Sequence, residues 1–195
     1  MEWFMSDTHF NHEAILRAHN RPFKSVVDMD ETMLENINRV VKETDTLYHL
    51  GDFCLGSVEN GIKFRKRIKC DHVYLIYGNH DEKNRAFKEF RKAFGNGKCH
   101  DILEIRRDGR LYVMCHYPIL YPHHWDKGAW VLHGHMHGEG MVNPVVPSVD
   151  VGVDIWNYHP ISMEDIQVIV QAGINKMPYE ERYAAFVAKK KEPNE

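Results

Sequence analysis

The strongest constraint on the fold is a set of five short strings rich in Asp, Asn and His, most of them directly after an apolar run that reads as a β-strand. In chain order they are Asp7-Thr8-His9, Gly51-Asp52, Gly78-Asn79-His80-Asp81, His116 and Gly134-His135-Met136-His137. Strand ends in one sheet lie side by side. A chain built this way can bring polar groups far apart in sequence to one sheet edge. Carboxylate, amide and imidazole donors gathered at such an edge suit two divalent cations sharing a carboxylate.

The pattern between the strings predicts the elements. Residues 3–5 read as a strand that delivers Asp7 and His9 to a loop. His12 to Ala18 reads as a short helix, broken at Arg21-Pro22-Phe23 because proline disfavours helix in the residue before it. Asp28 to Glu43 has Met33, Ile37 and Val40 at helical spacing. Thr46 to Leu50 is a strand, Val58 to Lys69 a helix, and Val73 to Tyr77 an apolar strand buried on both faces. Glu82 to Phe94 is expected as one helix. The first half thus alternates β-α-β-α-β, as in a layered α/β fold.

The second half is richer in strands. Ile102 to Ile105 and Leu111 to Cys115 flank Asp108-Gly109, a hairpin turn signal. Further strands are expected at Ala129 to Leu132 and Val149 to Ile155. Ser162 with Asp165 forms a capping box for a helix through Val170. A helical tail from about residue 178 to Lys191 has a Lys-rich end expected to fray. No repeat or linker is visible, so residues 1–195 are expected to form a single domain.

Composition excludes some classes. The formal net charge of −3 is not that of a strongly basic nucleic-acid coat. No apolar stretch reaches the roughly 18 residues of a membrane span. The chain enters its first strand with no charged leader or signal-like segment, so a cytoplasmic protein is expected. Cys54, Cys70, Cys99 and Cys115 show no C-x-x-C spacing and read as reduced, mostly buried thiols. Histidine is abundant, with 14 residues. Those outside the five strings read mainly as surface or satisfied core residues, with His49 and His133, each two before a motif residue, as candidate supports.

The donor pattern has its own logic. Asp7 and His9 are two apart, so on an extended segment they face the same way, and so do His135 and His137. Asp52 follows a glycine that permits a tight turn, and its two carboxylate oxygens can bridge two ions. Asn79 adds a neutral oxygen and His116 an imidazole. Two dications carry more charge than Asp7 and Asp52 cancel. That surplus would draw a phosphate and acidify a bound water. Manganese is the first expectation for the metal, with iron, zinc, nickel and cobalt also suited.

The order D-x-H, G-D, G-N-H-D, H, G-H-x-H resembles that of the calcineurin-like metallophosphoesterases, from Ser6 to about Asp154. The strings Ser6-Asp7-Thr8-His9-Phe10-Asn11-His12 and Tyr48-His49-Leu50-Gly51-Asp52 are similar to the small single-domain bacterial and phage branch. The resemblance implies two mixed β-sheets packed as a sandwich flanked by helices, a four-layer α/β/β/α fold. It implies a first metal held by Asp7, His9, Asp52 and His137, and a second held by Asp52, Asn79, His116 and His135. It implies a bridging hydroxide as nucleophile, His80 over the phosphate assisting the leaving group, and Asp81 orienting His80.

Asn11, His12 and Arg21 are weaker substrate-binding candidates. Arg21 could grip phosphate bidentately. Trp125, Trp156 and Tyr158 could stack a base, but core packing is the favoured reading for each. The loop holding His123 and His124 could overhang the site. The expected activity is hydrolysis of phosphodiesters, small nucleotidic ones first. The alternatives are a phosphomonoesterase, a nuclease disfavoured by net charge, and a non-catalytic metal-dependent interaction module. Oligomeric state is not readable.

Overall fold

The computed structural model describes residues 1–140 and 142–191. Nine strands and seven α-helices are present among them, as β1 (Glu2–Met5), α1 (Ala14–Ala18), α2 (Val26–Val40), β2 (Thr46–His49), α3 (Val58–Arg67), β3 (His72–Ile76), α4 (Glu82–Arg85), α5 (Lys88–Phe94), β4 (Cys99–His100), β5 (Ile102–Arg107), β6 (Arg110–Cys115), β7 (Trp130–His133), β8 (Ser148–Asp150), β9 (Ile161–Ser162), α6 (Met163–Gln171) and α7 (Tyr179–Lys191). Both sheets are mixed. The first has the order β4-β3-β2-β1-β9 and the second β5-β6-β7-β8. β1 to β4 run parallel and β9 antiparallel to β1. In the second sheet β5 and β6 are antiparallel, and β6, β7 and β8 are parallel.

Alternation along the first sheet explains its burial on both faces. Met5, Leu47, Val73 and Leu75 point to a core shared with Met29, Met33 and Ile37 of α2 and Phe64 of α3. Phe4, Tyr48 and Ile76 point the other way and meet Tyr112, Met114 and Leu132 of the second sheet. Phe4 stacks on Tyr48, and Tyr48 on Tyr74, with centroids 5.2 Å apart in each pair. Ile166 and Ile169 of α6 and Phe186 of α7 complete this core.

Most boundaries fall where the sequence pattern predicts, and the shifts have local causes. α2 starts at Ser25, whose hydroxyl accepts from the Asp28 N–H at 3.1 Å, and it stops at Val40 rather than Glu43. The capping box forms as expected: the Ser162 hydroxyl accepts from the Asp165 N–H, and the Asp165 carboxylate accepts from the Ser162 N–H. The expected single helix at 82–94 is split, because Phe87 is extended and caps α5. β8 ends at Asp150 rather than continuing to Ile155, as the carboxylates of this stretch turn inward to cap loops. At the hairpin, Asp108 and Gly109 both have positive φ, the geometry of a type I′ turn. All four cysteines are free. The Lys-rich end expected to fray, Lys189 to Lys191, is instead the helical last turn of α7, and residues 192–195 lie outside the described residues. No helix among the described residues is long and apolar enough to cross a membrane.

The loops leaving β1, β2, β3, β6, β7 and β8 converge. Backbone bonds stitch them together beyond the strands. The Asp7 N–H donates to Gly51 O at 3.0 Å, His9 N–H to Asp52 O at 2.9 Å, Gly134 N–H to His116 O at 3.0 Å, and Val153 N–H to Ser6 O at 3.1 Å. The site's frame is therefore an extension of the ladders of both sheets.

Candidate metal centre

The structure brings the seven expected donors Asp7, His9, Asp52, Asn79, His116, His135 and His137 to this one edge. Among the described residues three donor groups have atoms within 4.8 Å of one another: His9–His12–His80, and the two made wholly of expected donors, Asp7–His9–His137 and Asp52–His116–His135. Asp52 lies between them. Its Oδ2 is 3.4 Å from His9 Nε2 and 3.5 Å from His116 Nε2. Its Oδ1 accepts from the His80 N–H at 2.9 Å. Asn79 Oδ1 lies 3.2 Å from His116 Nε2.

The local backbone differs from the extended one inferred from the i, i+2 spacing. Asp7, His9, Asp52, His135 and His137 all have φ between 47° and 70°. Non-glycine residues rarely adopt this left-handed region, and such conformations cluster at functional sites. Each donor pair is aimed by turns rather than by strand alternation. Glycine supplies space beside them. A Cβ on Gly134 would overlap Ser6 Oγ and the Asp7 carboxylate, so Gly→Ala there would push the loop off its frame.

Three of the imidazoles have a partner at the other ring nitrogen. His116 Nδ1 donates to the Leu50 carbonyl at 2.8 Å, which leaves Nε2 facing Asp52. His137 Nδ1 lies 2.7 Å from Asp154 Oδ2, while its Nε2 is 3.9 Å from Asp7 Oδ1. His9 Nδ1 lies 3.1 Å from His12 Nδ1. Its Nε2 is buried with no hydrogen-bond partner. A buried imidazole nitrogen left unpaired is costly unless something else takes its lone pair.

The electrostatics agree with cation binding. Burial holds the Asp7 carboxyl well above the usual carboxylate range. Burial, then the charge of Arg21, holds His9 well below the usual histidine value, and burial also lowers His116. Neutral imidazoles keep a lone pair for a metal, and a dication would return Asp7 to its charged form. Burial opposes charge on His137 too, but the Asp154 and Asp7 carboxylates raise it above its ordinary value. The donor set, with the unpartnered His9 nitrogen, fits divalent metal ions.

His80 stands at the mouth, its side chain 37% exposed and its Nε2 4.0 Å from Asp52 Oδ2. His9 and His12 flank it, with ring centroids at 5.0 and 5.4 Å. Three expectations change. Asp81 does not hold the His80 ring. It is fully buried and accepts from the backbone N–H groups of Gly78, Asp52 and Phe53, tying two motif loops together. Burial pushes its carboxyl up to about 7 against those donors. Arg21 is likewise no free phosphate clamp. It grips Asp154 bidentately at 2.8 Å and donates to the Asp7 and Thr8 carbonyls and to Met29 Sδ. All five guanidinium N–H groups are thereby engaged. Asn11, in a left-handed turn, donates its side-chain amide to the Leu55 carbonyl.

The remaining candidates separate. His49 is buried, with Nε2 3.0 Å from Thr8 Oγ1. That hydroxyl donates to Phe53 O, so the His49 ring is the donor and braces the D-x-H loop. His133 Nδ1 donates to the Gly134 carbonyl. Trp156 is core and Tyr158 packs on Phe23, while Trp125 is 49% exposed. Sequence reasoning did not single out Asp150, whose carboxylate caps Gly138 and Gly152, or His19, which stacks on His137 at 3.7 Å. Nor did it assign Asp154. The signal for both acids was available: Val149-Asp150-Val151-Gly152-Val153-Asp154 places carboxylates inside an apolar run.

No family model matches the chain. It is 31% identical to the uncharacterised protein MJ1445 of Methanocaldococcus jannaschii over 179 residues, 88% of this chain and 92% of that protein. The crystal structure of AQ665 from Aquifex aeolicus, a protein of unknown function, superposes with a TM-score of 0.69 at 27% identity, over 86% of this chain and 97% of that one. A novel archaeal phosphodiesterase aligns more loosely, with a TM-score of 0.49 and 19% identity over 77% and 82% of the two chains. The chain belongs to one family with the M. jannaschii protein.

Proposed function

We propose that this protein hydrolyses phosphodiesters, small nucleotidic ones first, at a centre for two divalent metal ions. In this reading Asp7, His9, Asp52 and His137 hold one ion, and Asp52, Asn79, His116 and His135 the other. The observation that carries the proposal is the Asp52 carboxylate, poised 3.4 Å from His9 on one side and 3.5 Å from His116 on the other. When bound, the ions supply positive charge for the phosphate oxygens and lower the pKa of a water.

The chain's own residues do the rest. Leu50 O and Asp154 fix the tautomers of His116 and His137, so each presents Nε2 to the centre. Asp81 holds the Gly78 and Asp52 loops at a set separation. His80, anchored through its N–H to Asp52 yet open to solvent, gives a proton or hydrogen bond to the departing oxygen. The engagement of Arg21 favours a diester over a monoester. A monoester dianion needs an extra cation, and Arg21, the candidate clamp near the first motif, is committed to Asp154.

A screen of phosphomonoesters, linear diesters and cyclic nucleotides with manganese, iron, zinc, nickel and cobalt tests this. We expect a higher kcat/KM for a nitrophenyl diester or cyclic nucleotide than for the matching monoester at neutral pH. Efficient monoester turnover would replace the diester reading. Metal binding with no turnover of any ester would leave a metal-dependent interaction module.

A further inference from the structure

We propose that Tyr117, with the loop that follows it, is the binding surface for a flat nucleobase on one organic arm of the substrate. The inference rests on the phosphodiester reading and assigns the side of the site that takes the arm. Tyr117 directly follows His116. Its ring stands edge-on to His116 at 5.0 Å and to His135 at 4.8 Å, so it walls the cluster on the side of these two histidines. His80, which serves the departing oxygen, lies against His9 and His12 instead. The two sides therefore have separate tasks.

The wall is an aromatic surface left open. Tyr117 is 45% exposed, Leu120 47%, Tyr121 60% and Trp125 49%. Four of the eleven exposed large hydrophobic residues among those described thus fall within nine positions, in one loop joined to the rim of the site. Scattered exposed apolar residues need no explanation, whereas a cluster beside a polar centre marks a ligand surface. The loop is also braced. Asn143 donates to the Ile119 carbonyl at 2.9 Å, His123 pairs with Glu104 at 3.1 Å, and Tyr121 packs edge-on against Trp125 at 5.5 Å. Held rings offer stacking area with little ordering cost.

The occupant follows from chemistry. Rings that carry no charge suit the neutral π-face of a base, while the metal-side donors take the phosphate. A free nucleotide diester and the terminal residue of a single strand share this chemistry.

The test compares two diesters with the same nitrophenyl leaving group, one bearing thymidine and one bearing methyl on the other arm. Wild type is expected to prefer the thymidine substrate in kcat/KM by about tenfold, within what stacking one base on an aromatic ring provides. Tyr117→Ala should bring that ratio close to one, mainly through KM, and Tyr117→Phe should preserve it. A ratio near one in wild type, or an unchanged ratio in Tyr117→Ala, overturns the inference. Faster cleavage of a short single-stranded oligonucleotide than of the thymidine diester upholds it and identifies a strand end as the source. If neither diester is hydrolysed, the phosphodiesterase reading fails on its own. Calorimetry then decides the arm surface: thymidine 5′-phosphate must bind tighter than inorganic phosphate in wild type and lose that advantage in Tyr117→Ala, or the surface has no such role.

Discussion

The two halves of the candidate metal centre are built in opposite ways. Around Asp7, His9 and His137 the support comes from inside the protein. Asp7 is fully buried, His9 is 1% exposed, and the largely buried Arg21–Asp154 pair clamps both the Asp7 carbonyl and the His137 ring. Around Asn79 and His135 the support is backbone and the outer side is open. Asn79 is exposed, His135 is half-buried, and Tyr117 stands beside it in solvent. A buried ion pair holds its neighbours rigidly, because separating it would strand a charge in low dielectric. In the proposed function the buried half would set geometry, and the open half would admit the organic arms of a diester.

The sharpest way to break this division is to remove the one residue both halves share. In the proposed ligand sets Asp52 is common to both ions, so Asp52→Ala removes the shared carboxylate and leaves Asp7 alone to balance two dications. We expect loss of both metals and of all measurable turnover, read by metal analysis of the purified variant. Two ions at full occupancy would show that the halves do not depend on Asp52. His80→Ala separates chemistry from assembly. It should keep both metals and lose about 10²–10⁴-fold in rate, the usual size of a general acid–base contribution. The loss should shrink for a nitrophenolate leaving group. An equal loss for good and poor leaving groups would assign His80 to phosphate positioning.

Legibility in the sequence follows the same division. The seven donors were readable because each lies in a short string at a strand end, where local order fixes position. Their aim was not. The i, i+2 rule presumes extended backbone, and Asp7, His9, His135 and His137 occupy left-handed turns that few non-glycine residues adopt. Arg21 and Asp81 were read as facing substrate and His80 because residue type and nearness in sequence were the only guides. Both have buried partners set by packing, Asp154 at a separation of 133 residues for Arg21 and Asp52 at 29 for Asp81. The two-residue strand β4 escaped because Cys99–His100 carries no pattern and is strand only by pairing with Leu75 and Ile76. The open half held its own surprise. Trp125, expected to pack in the core, is instead exposed, while Trp156 is core as expected.

A smaller perturbation of the buried half is Asp154→Asn. The amide would keep a hydrogen bond to His137 Nδ1 only by accepting through its oxygen, and it would lose the charge that Arg21 faces at 2.8 Å. Loss of a partner behind a metal-bound histidine costs about 10–100-fold in metal affinity. We expect that loss at one of the two ions, seen as two separated steps in a competitive chelator titration. The step for the other ion should stay near its wild-type position. A uniform shift of both steps would mean that the halves are energetically one unit.

The smallest expected effect concerns His49, which braces the buried half through Thr8. Burial, then the charge of His116, lowers its pKa from 6.5 to about 3. Between those values the unfolded chain binds a proton that the folded protein refuses. Stability therefore rises with pH across this window: it is fully present above about 6.5 and is lost as pH falls toward 3. By pH 5.5 the loss from this one group is about 1.4 kcal/mol. Denaturant unfolding of chelator-treated protein at pH 7.5 and 5.5 should reveal it, and His49→Gln should reduce the difference by about that amount. Gln keeps an N–H for the Thr8 hydroxyl and has no proton to take up. If the variant lost as much stability as wild type between the two pH values, the acid sensitivity would belong to other buried imidazoles, His9 and His116 first, and the brace on the D-x-H loop would be indifferent to protonation.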